Sequence, residues 1–301
     1  MDCMRRGDFE SAWQVSDAVM REGKGELYWQ LPRHLQNVWG GSPVDGKRVL
    51  VRCYHGLGDT IQFIRYAKQL KMSRCQVVVW AQQELLPLLS TIQFIDEAFP
   101  IHEGSPEMTY DVDVEVMELP YVYRTTCATI PSEVPYLNVA PLSLGHNEKH
   151  SVGLVWKAGE WDPGRSIPFD ALAPLRNLKG ITLFVLQSDA AGAGWEEGFG
   201  TYPGDRPLYQ YARILKGLDL LISVDSMPVH LAGAMGVPVW TLLQRNADWR
   251  WMDSRDDSPW YPSMRLIRQK EQGDWQGVIL KVARELRRFF SQYPARTHGN
   301  D

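Results

Sequence analysis

Apolar residues open the chain at helical spacing. Phe9, Ala12, Trp13, Val15, Ala18 and Val19 recur on adjoining turns, and the spacing predicts helix over residues 5–38. Gly40, Gly41, Pro43 and Gly46 then mark a loop. The run "KRVLVRCY" reads as a strand, and Thr60 to Leu70 as a helix with Ile61, Ile64, Ala67 and Leu70 on adjoining faces. "CQVVVWA" is the next strand, and "QELLPLLSTI" a short helical stretch interrupted by Pro87. Strand, helix and strand at this length make a βαβ unit, which implies a parallel sheet.

The pattern lapses from Thr125 to Asn147, where three prolines and polar punctuation suggest a crossing between domains. A second alternation follows: strands in "HSVGLVWKAG", "GITLFVLQSD", "DLLISVDS" and "VPVWTLL", and helices in "FDALAPLRNL", "YQYARILKGL" and "PVHLAGAMG". The last element, Gln276 to Phe290, is amphipathic, with Ile279, Val282, Ala283, Leu286 and Phe289 on one face. The expected organisation is a helical extension over 1–44, a Rossmann-like domain over 45–140 and a second over 141–275. A C-terminal helix over 276–301 then crosses back to the first domain. The class is α/β, with two parallel-sheet domains facing a cleft. Ligands of open α/β sheets bind at the carboxyl ends of strands. The loops of interest are therefore His55 to Thr60, Lys157 to Ser166, Gln187 to Asp189 and Asp225 to Pro228.

Charge narrows the possible partners. The 301 residues carry 32 basic and 36 acidic side chains, a net charge of −4. No basic excess exists to neutralise a nucleic-acid backbone. No apolar run approaches the roughly 20 residues of a membrane span, and "MDCMRRGDFESAW" lacks the apolar core of a signal peptide. The four cysteines show neither C-x-x-C pairing nor metal-ligand spacing, so reduced thiols in a cytoplasmic protein are expected.

The loop "CYHGLGDT" has Gly56 and Gly58, but Ile61 stands where a dinucleotide fingerprint needs its third glycine. No Lys-Ser or Lys-Thr follows, so it is not a P-loop either. What remains is a glycine turn, including His55, that lets the backbone come close to a ligand, with Asp59 opening a helix. Asp59 reads either as an N-cap or as a carboxylate available as a general base. In "WKAGEWDPGRSIP", Lys157 and Arg165 suit a diphosphate, or are solvated charges. In "SVDSMPVHLAGAMG", Asp225 and Ser226 end a strand, and Pro228 sits early in a helix whose N-terminus would attract phosphate. His230 lies on the first turn or so of that helix, as a phosphate contact or a packed core histidine. It has no second histidine at metal spacing, so no metal site is expected. Trp249, Trp251, Trp260 and Tyr261 either stack on a base or sugar or pack an interdomain surface. Lys281, Arg284, Arg287 and Arg288 read as a solvated helix face or a contact with anionic lipid.

Five segments in order, "GLGDTIQFIRYAKQL", "VGLVWKAG", "RSIP", "LDLLISVDSMPVHLAGAMGVPVW" and "DWRWMDSRDDSPWYPSMRLIRQ", resemble glycosyltransferase family 9, the ADP-heptose:lipopolysaccharide heptosyltransferases. The closer likeness is to a bacterial subgroup often fused to tetratricopeptide repeats, and it covers about residues 45–290. "RGDFESAW" resembles the end of such a repeat array. The resemblance implies a GT-B fold and an inverting, metal-independent transfer without a cofactor. The donor would be a nucleotide sugar such as ADP-heptose, and the acceptor a lipopolysaccharide or protein hydroxyl. It implies Asp59 as base, Arg165 and then Lys157 on the diphosphate, and Asp225, Ser226 and His230 around the phosphates. Gln187, ending the "LQ" strand, joins the donor side, and His55, Gly56 and Gly58 form the acceptor loop. The expected location is cytoplasmic, with or without peripheral contact to the inner membrane. Met227 replaces a glycine common in such turns, and "PLYQYARIL" departs from the run expected near the nucleobase. The competing readings are a GT-B-like binding or scaffolding module without turnover, and a Rossmann oxidoreductase or epimerase. The missing third glycine counts against the latter.

Overall fold

The computed structural model describes residues 2–22, 39–142, 144 and 149–291. The chain divides into two compact units, residues 1–138 with 248–254, and residues 139–247 with 255–301. The sequence boundary between them, Asn138/Val139, falls inside the proline-bearing stretch read as a crossing.

The first unit is built on four parallel strands: β1 (Arg48–Arg52), β2 (Gln76–Ala81), β3 (Glu97–Pro100) and β4 (Val112–Glu115), in the order β3-β2-β1-β4. β1 and β2 are almost fully buried, as expected of valine-rich strands covered on both faces. β3 and β4 do not stand out in the sequence: each is four residues long, and β4 alternates valine with acid.

Two N-terminal helices, α1 (Asp2–Arg5) and α2 (Phe9–Glu22), pack into this unit. Phe9 and Trp13 are buried, and Trp13 Nε1 donates to the Thr125 carbonyl at 2.7 Å. The expected helix continued to residue 38; residues 23–38 lie outside the described residues.

The helix expected from Thr60 begins earlier and is broken: α3 (Leu57–Phe63), a 3-10 turn over Ile64–Tyr66, then α4 (Ala67–Met72). Beyond β2, a 3-10 turn (Gln83–Leu85) leads into α5 (Leu86–Leu89), where Pro87 sits in the first turn and removes no intrahelical bond. α6 (Leu119–Val122) follows β4.

The second unit is a five-stranded parallel sheet: β5 (His150–Val155), β6 (Ile181–Val185), β7 (Leu220–Val224), β8 (Val239–Leu243) and β9 (Met264–Arg268), in the order β6-β5-β7-β8-β9. Gly153 is required inside β5, because a Cβ there would stand 2.6 Å from Leu218 Cδ1 and 2.9 Å from Leu186 Cδ1. "FDALAPLRNL" forms a 3-10 run over Phe169–Leu175 that contains Pro174. α7 (Leu208–Lys216) precedes β7, and α8 (Met227–Ala234) joins β7 to β8.

The last helix, α9 (Trp275–Ser291), spends its apolar face inside this unit. Trp275, Val278, Ile279, Val282 and Leu286 join Val152, Leu154, Leu220 and Ile222 in one core cluster. A crossing back to the first domain is therefore not what this face does, and residues 292–301 lie outside the described residues. Among the described residues no helix is long and apolar enough to cross a membrane.

Candidate functional site

In the first unit, β1 delivers its chain end into the loop Cys53–Gly56 and then into α3. Gly56 is the N-cap residue, and its φ of −63° is open to any side chain. Neither Gly56 nor Gly58 has a positive φ. Gly56 instead needs room, since a Cβ there would approach Asp59 Oδ2 to 3.2 Å.

Asp59 is the third residue of α3, not the cap. Its Oδ2 accepts the Gly56 N–H at 3.1 Å, and its Oδ1 accepts Nη1 of Arg250 at 2.9 Å. Arg250 comes from the segment 248–254, which joins the first unit although it follows β8 in sequence. The same guanidinium donates to Gln62 Oε1 at 3.1 Å and to Asp248 Oδ1 at 2.8 Å, and it lies over the rings of Phe63 and Trp249. Trp249 itself stacks on Phe63, and both it and Trp251 are buried, so these indoles pack rather than face a ligand. Sequence reading missed Arg250: the pair spans 191 positions, and "DWRW" reads only as an aromatic cluster.

His55, also on this loop, lies 3.3 Å through Nε2 from Oε1 of Glu115, the last residue of β4. The Glu115 side chain is 3% exposed and that of His55 37%. The Gln82 amide fixes the loop by donating to the His55 carbonyl at 2.5 Å. Glu115 raises the proton affinity of His55 above the ordinary histidine value, partial burial opposes it, and Asp59 and Glu118 add to the rise. Neighbouring Cys53 is pushed up by burial first and by the Glu115 charge second.

In the second unit, the carboxyl ends of β5, β6 and β7 surround a cavity of about 440 Å³. Its lining includes Lys157, Gln187, Asp189, Arg206, Ser226 and Met227. Lys157 is exposed, and its ammonium has no bond to another described residue. Arg206, from the approach to α7, donates to the Pro203 carbonyl at 2.8 Å. Ser226 caps α8, and its hydroxyl donates to the Val224 carbonyl at 3.1 Å. Asp189 adopts a φ of +46°, a conformation a non-glycine residue holds at a cost.

Other residues expected at the donor side frame the cavity. Gln187 is buried and its Oε1 accepts the N–H groups of Trp156 and Lys157 at 3.2 and 2.9 Å, tying the ends of β5 and β6 together. Arg165 is buried, donating to the carbonyls of Asp225 at 2.8 Å and Gly159 at 3.3 Å, with exposed Trp161 stacked 4.0 Å from its guanidinium. It does not line the cavity. Asp225 is buried behind the turn, and His230 is buried with Nδ1 3.1 Å from the Tyr261 hydroxyl. Gly233 allows that packing, because a Cβ there would meet the Tyr261 ring at 2.5 Å. Arg206 carries no signal in the sequence, where "GDRPLY" reads as loop punctuation. Among the described residues no three His, Cys, Asp or Glu side chains converge as metal ligands, and the four cysteines are unpaired.

No protein-family model matches the chain. It is 23% identical over 294 residues to Protein FlbA of Caulobacter vibrioides, and the match covers 83% of the chain. The chain spans about half, 48%, of the length of that curated relative. The fold is shared with a family 9 glycosyl transferase from Veillonella parvula, with a TM-score of 0.61 and 12% identity, covering 84% of this chain and 99% of that one. It is also shared with the ADP-heptose lps heptosyltransferase II of E. coli, with a TM-score of 0.59 and 17% identity, covering 81% and 99%. The architecture is thus that of a GT-B protein with two Rossmann-like units, and its structural neighbours are family 9 glycosyltransferases.

Proposed function

We propose that the protein is a glycosyltransferase that moves a sugar from a nucleotide-sugar donor to an acceptor hydroxyl. The observation that carries this reading is the second unit's cavity. It lies at the carboxyl ends of parallel strands, is about 440 Å³ in volume, and presents Lys157 and Arg206 beside the start of α8. Its size suits a nucleotide-sized ligand. Two cations and a helix N-terminus suit a diphosphate. A structural neighbour whose name specifies ADP-heptose supports ADP-heptose as the donor.

The transfer is an inverting displacement without a metal, on a lipopolysaccharide or protein acceptor. Lys157 and Arg206 would stabilise the leaving diphosphate as its charge develops. Arg165, Gln187, Asp225 and His230 would shape the loops that present them. On the acceptor side, the resemblance to family 9 names Asp59 as base. Its two oxygens each carry one hydrogen bond and each retain a lone pair for a hydroxyl. The site of action is the cytoplasmic face of the inner membrane. Half-buried Met227 on the cavity wall favours a second reading, in which nucleotide binds without turnover.

Calorimetric titration of ADP, UDP, GDP and CDP tests the donor site. The expected result is selective binding of ADP, weakened about tenfold by Lys157→Ala, a loss of about 1.4 kcal/mol. ADP release from ADP-heptose then separates transfer from binding alone. Failure of all four nucleotides to bind would sink the reading.

A further inference from the structure

Asp59, the base of the transfer reading, has its carboxylate held at both oxygens. Oδ2 accepts the Gly56 N–H at 3.1 Å, within its own loop. Oδ1 accepts Nη1 of Arg250 at 2.9 Å, from a segment that lies between β8 and β9 in sequence. The two side chains are 22% and 11% exposed, so the carboxylate stays open to an acceptor while the guanidinium is largely withdrawn from water.

Arg250 is itself fixed from several sides. Its Nε donates to Asp248 Oδ1 at 2.8 Å, and Asp248 also accepts the Arg250 N–H at 3.1 Å as the cap of the 3-10 turn Trp249–Trp251. Nη1 donates to Gln62 Oε1 at 3.1 Å as well as to Asp59. The guanidinium lies 5.8 Å from the ring centroids of both Phe63 and Trp249. Gln62 is fully buried, and it turns its oxygen to the cation although its Nε2 is left buried without a hydrogen bond. Reversed, the amide would set its own NH₂ donor against Nη1.

Two carboxylates share this one cation. Asp248 is two residues away and answers its charge locally, so the arm to Asp59, 191 positions away, is not needed to anchor the arginine. What the arm fixes is the base. A carboxylate held by one amide turns about its own side-chain bonds. One held at both oxygens has a set plane, and each oxygen keeps a lone pair of set direction.

We propose that Arg250 is the positioning residue of the general base: set by Asp248, Gln62 and the two rings, its guanidinium holds the Asp59 carboxylate in the orientation that takes the acceptor proton. The proposal rests on the glycosyl-transfer reading with Asp59 as base. In the step, the acceptor oxygen bonds to the anomeric carbon and the bond from that carbon to the donor phosphate oxygen breaks. The diphosphate leaves with the bonding pair, and the hydroxyl proton passes to Asp59. Arg250 touches neither reactant and acts through the carboxylate.

A group that acts through a base has no effect on an acceptor that needs none. ADP release from ADP-heptose is therefore measured at neutral pH with two probe acceptors, water and azide. Water loses a proton as it attacks, whereas azide is already an anion and bonds to the anomeric carbon with no proton to give up. Wild type, Asp59→Asn, Arg250→Gln and the double variant are compared, with ADP titrated into each to read the donor site. Asp59→Asn should lower the water rate about 10²–10⁴-fold. Arg250→Gln should lower it about 10²-fold, the effect of a displaced catalytic group. The azide-dependent rate should stay at the wild-type level in both. Because the two residues act as one unit, the double variant should be no slower with water than Asp59→Asn. Arg250→Lys keeps the cation and loses the fork; it is the variant to read where Arg250→Gln does not fold, and it should show the same split between acceptors. An unchanged water rate in the Arg250 variants, an azide rate that falls with the water rate, or a double variant slower than Asp59→Asn overturns the proposal and leaves Asp59 as base. Absence of ADP release from wild type with either acceptor overturns the transfer reading and this proposal with it.

Discussion

The two units present their strand ends in opposite ways. In the first, charged side chains at the ends of β1 and β4 are matched to one another: Asp59 to Arg250, and Glu115 to His55. In the second, the conspicuous polar side chains turn inward to backbone groups. Arg165, Gln187 and Arg206 hold carbonyls and amides, and of the two cavity cations only Lys157 has no such bond among the described residues. A side chain occupied by a neighbouring side chain is poised by that partner's charge. One occupied by backbone shapes a loop and leaves recognition to its neighbours. Residue type alone does not separate the two cases, but the partner does.

The sharpest way to break this comparison is to remove Arg250. Its side chain is 11% exposed, and it neutralises Asp59, itself 22% exposed, while also serving Asp248 and Gln62. Arg250→Ala leaves a half-buried carboxylate without its cation. The expected loss is about 2–4 kcal/mol of stability, read by denaturant unfolding. A change below about 0.5 kcal/mol, the range of an ordinary surface site, would mean that the ion pair does not organise the loop.

Arg165→Ala is the corresponding test in the second unit. Two charge-assisted bonds to carbonyls and the stack on Trp161 are lost. Stability should fall by about 2–3 kcal/mol, with nucleotide binding weakened as a consequence of the disordered loop. Lys157→Ala should show the reverse profile: weaker nucleotide binding, with stability unchanged within about 0.5 kcal/mol. If Arg165→Ala weakens binding without destabilising, Arg165 is a ligand contact, and the distinction between frame and cavity fails there.

The same distinction explains what could be read from the chain. β1, β2, β5, β7 and β8 are built around short apolar runs and are buried along nearly their whole length, and the amino-acid order of such runs is enough to announce parallel strands. β3 and β4 are four residues each, β3 carrying an acid and a proline and β4 alternating valine with acid, so periodicity does not flag them. Missing β4 meant missing Glu115, because only the strand's end explains why an acid in "VDVEVME" is buried. Lys157 and Ser226 were legible because each follows a clear strand directly. Arg165 and His230 were conspicuous for their chemistry, yet pairing with a distant carbonyl and a distant tyrosine hydroxyl is a tertiary property. The helix from Leu57 shows the same limit at shorter range. Its start depends on Gly56 taking the cap position and Asp59 reaching back to it, a three-residue arrangement that apolar spacing does not encode.

The smallest effect concerns His55 and stability. Its folded proton affinity is raised, first by Glu115 and opposed by partial burial. A group raised on folding contributes stability that is fully present below its unfolded value, about 6.5, and lost as pH climbs through the folded value. Wild type should therefore gain on His55→Gln at acidic pH, and the two should converge as pH rises past that point. With a third of the side chain exposed, solvent screens the pair, so the gain should stay below about 1 kcal/mol. Parallel chemical melts of the two proteins at several pH values read it directly. A wild-type advantage that instead grew toward alkaline pH would mean that no His55–Glu115 ion pair forms in the folded protein.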